Sequence, residues 1–310
     1  MILAFSTYIN ILFVSRLLIF NLKKFMLFIL LPALIIFSVA LFIDAAATGL
    51  RLLNTGVSLT HSYNISRDIS YGGESWQKLD IYRARDADEN TPVIVFFFGG
   101  GWSWGDKAYF EFIADSFVRK GYTVAIPNYV LYPQGKFPQF VEDGAKAIVW
   151  IKNNVSEYQG SAEKIFLVGH SAGAYIAAMA ATDTQYLQKA GESKSFIKGV
   201  AGVAGPYNFT PKAQEYINIF GKENFDSMKI AQYVTGNEAP MILLHGSGDK
   251  TVGVFNQEIM AEALKKENVK HQSIVYNSNI THIKILLKLH PWFADSVDVA
   301  EDIDWFFKSL

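Results

Sequence analysis

The sequence predicts an α/β fold in which a mostly parallel, eight-stranded sheet is flanked by helices and carries a small cap insertion. Three observations predict it. From about residue 66, short strand-like runs alternate with amphipathic helical stretches, the pattern of a sheet whose parallel strands are joined through helices. The central runs, such as Val93-Ile94-Val95-Phe96-Phe97-Phe98 and Met241-Ile242-Leu243-Leu244, are continuously apolar, as strands covered on both faces must be. One such run, Lys164-Ile165-Phe166-Leu167-Val168, leads straight into Gly169-His170-Ser171-Ala172-Gly173. A buried strand ending in Gly-x-Ser-x-Gly turns sharply into a helix and lifts the serine hydroxyl clear of the backbone.

Taken in order, the chain opens with an apolar N-terminal extension, residues 1–24, interrupted by Asn10 and Arg16. Residues 25–43 follow, 19 residues without a charge, long enough to cross about 30 Å of hydrocarbon as a helix. Lys23 and Lys24 precede that stretch and Asp44 follows it. The asymmetry predicts a single-pass anchor in the cytoplasmic membrane, with the remainder of the chain on the outer side. A cleaved signal sequence is the competing reading, with Ala45-Ala46-Ala47 as the small residues of a cleavage site, although the apolar stretch exceeds the usual 7–15 residues. A start at Met26 would make the first residues an upstream extension.

Residues 44–65 read as a helical or irregular connector, and 66–310 as the catalytic domain. Strands are predicted at 66–71, 78–83, 93–98, 122–127, 164–168, 198–204, 240–245 and 271–276, and helices near 108–120, 139–155, 172–182, 253–267 and 297–309. Residues 206–238, long and mixed between two strands, predict the small cap. Composition narrows the chemistry. The 310 residues carry a net charge of −1, which gives no electrostatic reason for a nucleic-acid partner. The absence of cysteine excludes disulfides, a thiol nucleophile and thiolate metal ligation. No cofactor is expected, and no residues stand at metal-ligand spacing.

An exposed serine becomes a nucleophile only when a base takes its proton and donors hold the oxyanion that forms. The glycines of Phe98-Gly99-Gly100-Gly101-Trp102, at the end of a predicted strand, leave backbone amides open to the crevice. The amides of Gly100, Gly101 and Ala172 are the candidate oxyanion donors, though a tight turn after a strand also uses glycine. Asp249, in Leu243-Leu244-His245-Gly246-Ser247-Gly248-Asp249, stands at a strand mouth, where a carboxylate can orient an imidazole; an aspartate there also caps helices. Of six histidines, His282 is preferred as the base because it falls in the loop after the last strand, with His290 as the alternative. His170 sits beside the serine and points away from it. His61 precedes the sheet, and His245 and His271 lie on strands or at their ends. The order Ser171, Asp249, His282 is the one this strand-to-helix turn carries.

With these residues in place, residues 66–310 resemble the α/β-hydrolase superfamily, in its esterase/lipase branch with a His-Gly-Gly-Gly-Trp oxyanion motif, which includes hormone-sensitive-lipase-like and feruloyl- or acetyl-esterase-like enzymes. Leu79-Asp80-Ile81-Tyr82 resembles the early strand of that branch, and Asn128-Tyr129-Val130-Leu131-Tyr132-Pro133 its Tyr-Arg-Leu-x-Pro segment. Phe137-Pro138 and Asp143 fit the following helix start, and Ala204-Gly205-Pro206-Tyr207 the beginning of a cap. Three positions depart: Phe98 stands for the histidine before the glycines, Val130 for the arginine, and Thr281 for the glycine before the catalytic histidine. The resemblance implies a serine carboxylic-ester hydrolase with the triad Ser171, Asp249 and His282, acting on a small-molecule ester. Trp102, Tyr129 and Tyr207 are weaker candidates for substrate contact. Amide hydrolysis by the same machinery, and a catalytically silent binding protein on the same fold, are the alternatives.

Overall fold

The protein is described by a computed structural model over residues 28, 30–60 and 63–310. It divides into two compact units, residues 1–53 and 54–310. The division falls within the first helix, α1 (Leu31–Thr60). The N-terminal extension 1–24 lies outside the described residues, as does part of the apolar stretch 25–43. Among the described residues no helix is long and apolar enough to cross a membrane.

The second unit then runs β1 (Tyr63–Ser70), β2 (Lys78–Ala84), β3 (Val93–Phe97), α2 (Glu111–Val118), β4 (Thr123–Pro127), α3 (Gln139–Asn154) and β5 (Ile165–His170). It continues through α4 (Ala172–Thr182), α5 (Thr184–Lys189), β6 (Ile197–Val203), α6 (Gln214–Phe220), β7 (Met241–Gly246), α7 (Phe255–Lys266), β8 (His271–Tyr276), α8 (His282–Leu287) and α9 (Val299–Lys308). Eight strands form one sheet in the order β1-β2-β4-β3-β5-β6-β7-β8. The pairs β1·β2 and β2·β4 are antiparallel, and every other neighbouring pair is parallel. The six parallel strands therefore end on one edge, where ligand crevices of open α/β sheets form. Their apolar runs are buried throughout: every residue of β3, β4, β5 and β7 is buried. Helix α4, built of small residues, packs on β5 and β6 with all of its positions buried.

The connector is helical, one of the two forms expected of it, and the start of the sheet differs from the sequence expectation. The segment 44–65 is helical through Thr60, and the sheet begins at Tyr63 rather than 66, because β1 pairs along β2 from Tyr63↔Ala84 to Ser70↔Lys78. The second unit also takes in the end of α1. The Asn54 carboxamide donates to Ala108 O at 2.8 Å and accepts from Phe112 N at 3.0 Å, satisfying an amide at the start of α2 that has no partner within the helix.

Candidate active site

Ser171 sits between β5 and α4 at φ 53°, ψ −120°, a conformation that side chains resist at a cost of about 1–3 kcal/mol. The surroundings hold it there. Ser171 N donates to Val203 O (2.8 Å), and Ser171 O accepts from Tyr175 N (3.1 Å). The flanking glycines are required by contact: a Cβ on Gly169 would meet Gly173 O at 2.3 Å, and one on Gly173 would meet Phe97 O at 1.9 Å.

The segments that follow β5, β7 and β8 bring Ser171, Asp249 and His282 together. His282 Nε2 lies 2.9 Å from Ser171 Oγ, and His282 Nδ1 lies 2.6 Å from Asp249 Oδ2. A carboxylate only accepts, so Nδ1 carries the proton and Nε2 presents a lone pair to the serine hydroxyl. Asp249 Oδ1 accepts from the amides of Thr251 (2.8 Å) and Val252 (2.9 Å). Burial pushes the Asp249 carboxyl up, but the bonds from His245, His282 and the Val252 amide outweigh it and hold it well below the usual carboxylate range. His282 is the first residue of α8 rather than a loop residue. Thr281 Oγ1 caps that helix at Lys284 N, which is why a threonine serves where the resemblance expects glycine.

Two further histidines brace this arrangement, and sequence reasoning had given neither a contact. His245 Nε2 donates to Val252 O at 2.9 Å and lies 3.3 Å from Asp249 Oδ2. His170 Nε2 donates to His282 O at 3.0 Å. Burial, with the neighbouring His282 ring adding to it, brings the His170 imidazole down to about 3, so it is neutral at ordinary pH. The spacing of His245 four residues before Asp249 was the available signal for the first; nothing local signals the second. The alternative base, His290, is directed elsewhere: it is buried against Asp115, with Nε2 to Oδ2 at 3.0 Å. His271 bonds Val269 O at the start of β8, and His61 lies outside the described residues.

The glycine loop after β3 has Gly100 at φ 132° and Gly101 at φ 59°, values that suit glycine alone or nearly so. Among the described residues the amides of Gly100, Gly101 and Ala172 have no hydrogen-bond partner. The neighbouring segment fastens the loop: Tyr129 Oη donates to Phe98 O (2.8 Å), and Tyr132 N donates to Trp102 O (2.8 Å). That segment is itself held by Asp143, which accepts from Val130 N, Trp76 Nε1 and Gln77 Nε2 at 3.0, 2.9 and 2.7 Å. Phe98 is stacked between Phe110 (5.2 Å) and Tyr129 (4.7 Å), so an apolar ring fills the place of the expected histidine.

The aromatic residues expected at the substrate are placed differently. Tyr129 and Tyr207 are 2% and 1% exposed. Tyr129 supports the loop from behind, and Tyr207 is pressed so closely on β6 that a Cβ on Gly202 would fall 1.9 Å from its hydroxyl. Trp102, 3% exposed, forms the floor of an aromatic cluster with Phe140, Tyr175, Phe209, Tyr216 and Phe220. Trp102 meets Tyr175, Tyr216 and Phe220 edge-on, Tyr216 and Phe220 being carried by α6. Helix α6 is joined to the glycine loop through Ser103 Oγ, which donates to Glu215 Oε1 (3.0 Å), and to the segment before α3 through Phe137 N to Ile219 O (2.9 Å). Among the described residues no group of three or more His, Cys, Asp or Glu side chains is placed to hold a metal ion.

Comparison with known proteins agrees with this architecture. The BD-FAE family model matches residues 79–264, from β2 to α7. Isoprenylcysteine alpha-carbonyl methylesterase ICME of Arabidopsis thaliana is 30% identical over 287 residues, covering 83% of this chain and 67% of its own length. Kynurenine formamidase of Danio rerio is 33% identical over 153 residues, 49% of each chain. The chain spans 67%, 59% and 55% of the length of the first three curated relatives it matches. Esterase B from Lactobacillus rhamnosis (HN001) superposes with a TM-score of 0.70 at 15% identity, over 88% of this chain and 95% of that one. The shared fold is the α/β-hydrolase fold.

Proposed function

The chain belongs to the BD-FAE family, and from that premise we propose that it is a serine carboxylic-ester hydrolase working through an acyl-enzyme on a small or medium ester. The observation that carries the reading is the unbroken line from Asp249 Oδ2 through His282 to Ser171 Oγ, at 2.6 and 2.9 Å. His282 Nε2 takes the hydroxyl proton as Ser171 Oγ attacks the ester carbonyl. The negative charge that develops on the carbonyl oxygen is met by the amides of Gly100, Gly101 and Ala172, none of which has a hydrogen-bond partner among the described residues. Asp249 stabilises the imidazolium, which then gives its proton to the departing alkoxide. Water, deprotonated by His282, hydrolyses the acyl-enzyme.

Turnover of short-chain p-nitrophenyl esters, and labelling by a serine-directed fluorophosphonate, are expected of the wild type and absent in Ser171→Ala. A wild type that does neither removes the ester-hydrolase reading and leaves the silent binding protein. Similarity to a kynurenine formamidase favours a second reading, hydrolysis of an amide by the same residues. A kcat/KM for an aryl formamide above that for the matching aryl ester would establish it.

The location of the enzyme is part of the proposal. The 19 uncharged residues of 25–43, preceded by Lys23 and Lys24, support a membrane anchor with the catalytic unit on the outer side. Fractionation of cells, with a membrane-impermeant fluorophosphonate, tests it: label on intact cells is expected, and label only after lysis refutes the orientation.

A further inference from the structure

The cap brings to the glycine loop one side chain that the chemistry above does not use. Tyr216, on α6, is half-buried, and its ring meets Trp102 edge-on at 6.1 Å. A Cβ built on Gly101 would lie 3.4 Å from the Tyr216 hydroxyl and 3.6 Å from the ring carbon Cε1. The open side of Gly101, left free by the missing side chain, therefore faces this phenol. The helix that carries it is fixed at both ends, by Glu215 to Ser103 and by Ile219 to Phe137, so the ring is held rather than swinging.

The hydroxyl has no hydrogen-bond partner among the described residues. Leaving a half-buried hydroxyl without an acceptor once a ligand has displaced its water is unfavourable, unless the ligand supplies one. Burial first, and then the Glu215 carboxylate, push the phenol up from its usual value, so it stays a donor. A ligand seated on the amides of Gly100 and Gly101 brings oxygen acceptors to that place.

We propose that Tyr216 is a substrate-binding residue whose hydroxyl donates a hydrogen bond to an oxygen of the ester held on the glycine loop. The assignment rests on the ester-hydrolase reading and names the contact that the cap makes with that substrate. Tyr216→Phe is a clean test, because it keeps the ring against Trp102 and removes a hydroxyl that no group among the described residues uses. A packing role predicts an unchanged rate. A substrate contact predicts a loss of about tenfold in kcat/KM for p-nitrophenyl acetate, a parallel slowing of fluorophosphonate labelling, and an unchanged unfolding midpoint. A variant within threefold of an active wild type overturns the Tyr216 assignment alone. A wild type that neither turns over nor labels overturns the ester-hydrolase reading, and this one with it.

Discussion

Replacing Asp249 by asparagine removes one charge and converts one acceptor oxygen into a donor. The contacts around it determine which. Oδ1 accepts two main-chain amides, Thr251 at 2.8 Å and Val252 at 2.9 Å, and neither can change its proton. Oδ2 accepts from His282 at 2.6 Å and is approached by His245 at 3.3 Å, and an imidazole can exchange tautomers. Turning the new NH2 group toward the two amides would leave both without an acceptor, at about 1–3 kcal/mol each. The NH2 therefore faces the histidines. His245 keeps its bond to Val252 O, while His282 moves its proton to Nε2 and accepts through Nδ1. Ser171 Oγ then faces an N–H where its proton acceptor had been. The fold survives, since each amide keeps its partner, but the base is lost. The expected fall in kcat/KM for p-nitrophenyl acetate is about 10³–10⁴-fold, or about 4–5.5 kcal/mol in the barrier, as for other triads forced into the wrong tautomer. Thermal unfolding within a few degrees of wild type would show that the loss is chemical. An Asp249→Asn variant that keeps more than a tenth of the wild-type kcat/KM refutes the tautomer argument.

Three other outcomes follow from contacts around the site. His170 is neutral in the folded protein down to about pH 3, whereas the unfolded chain protonates it near 6.5; stability is therefore full above pH 6.5 and falls as pH drops toward 3. From pH 7 to 5 this amounts to about 2 kcal/mol, and His170→Gln should remove that share from the denaturant-unfolding profile; equal slopes in the two proteins would count against it. Gly173→Ala places a methyl 1.9 Å from Phe97 O and 2.6 Å from Phe98 O, and should lose more than 4 kcal/mol or fail to give soluble protein; a Tm within a few degrees of wild type would show that the elbow relaxes. Tyr129→Phe removes the bond to Phe98 O beneath the glycine loop, and should cost about 1 kcal/mol in stability with a several-fold lower kcat; an unchanged kcat means the loop holds its form without that bond.

What was legible in the sequence is what local chemistry dictates. The elbow could be read because its glycines answer to backbone collisions within five residues, and the central strands because burial on both faces leaves no polar position. β1 was placed late because it is a half-exposed edge strand of mixed residues, Tyr63-Asn64-Ile65-Ser66-Arg67-Asp68-Ile69-Ser70, with no apolar run to mark it. Helix α8, six residues long, was too short for a helical period to show, although Thr281 before it is a capping signal. The contacts of His170 with His282 O and of Tyr216 with Gly101 span 112 and 115 positions, so no spacing rule reaches them. The aromatic residues near the crevice misled for a related reason: Tyr129 and Tyr207 carry the same side chain as a ligand contact, and only the packing distinguishes a support from a surface.

The three departures from the family pattern follow one logic. The proposed chemistry asks for main-chain amides at Gly100, Gly101 and Ala172 and for one imidazole in one orientation, so a substitution matters to the extent that it moves the backbone. Phe98 keeps the loop in place through stacking and through its own carbonyl, which Tyr129 holds. At Val130 the bond to Asp143 is made by the main-chain amide, which any residue but proline supplies, and the small side chain lies against Gly135, where a Cβ would come within 2.5 Å of its methyl groups. Thr281 starts the helix that presents His282. At Val130 a main-chain contact carries the duty, whereas at Phe98 and Thr281 the new side chain contributes a contact of its own, by stacking and by capping. Returning Phe98 to histidine should accordingly harm rather than help. It would bury an imidazole between the rings of Phe110 and Tyr129, at about 1–3 kcal/mol for a ring nitrogen left unpaired there, before counting the lost stacking. A Phe98→His variant with higher Tm and higher kcat/KM than wild type would show that the side chain, not the backbone, holds the loop.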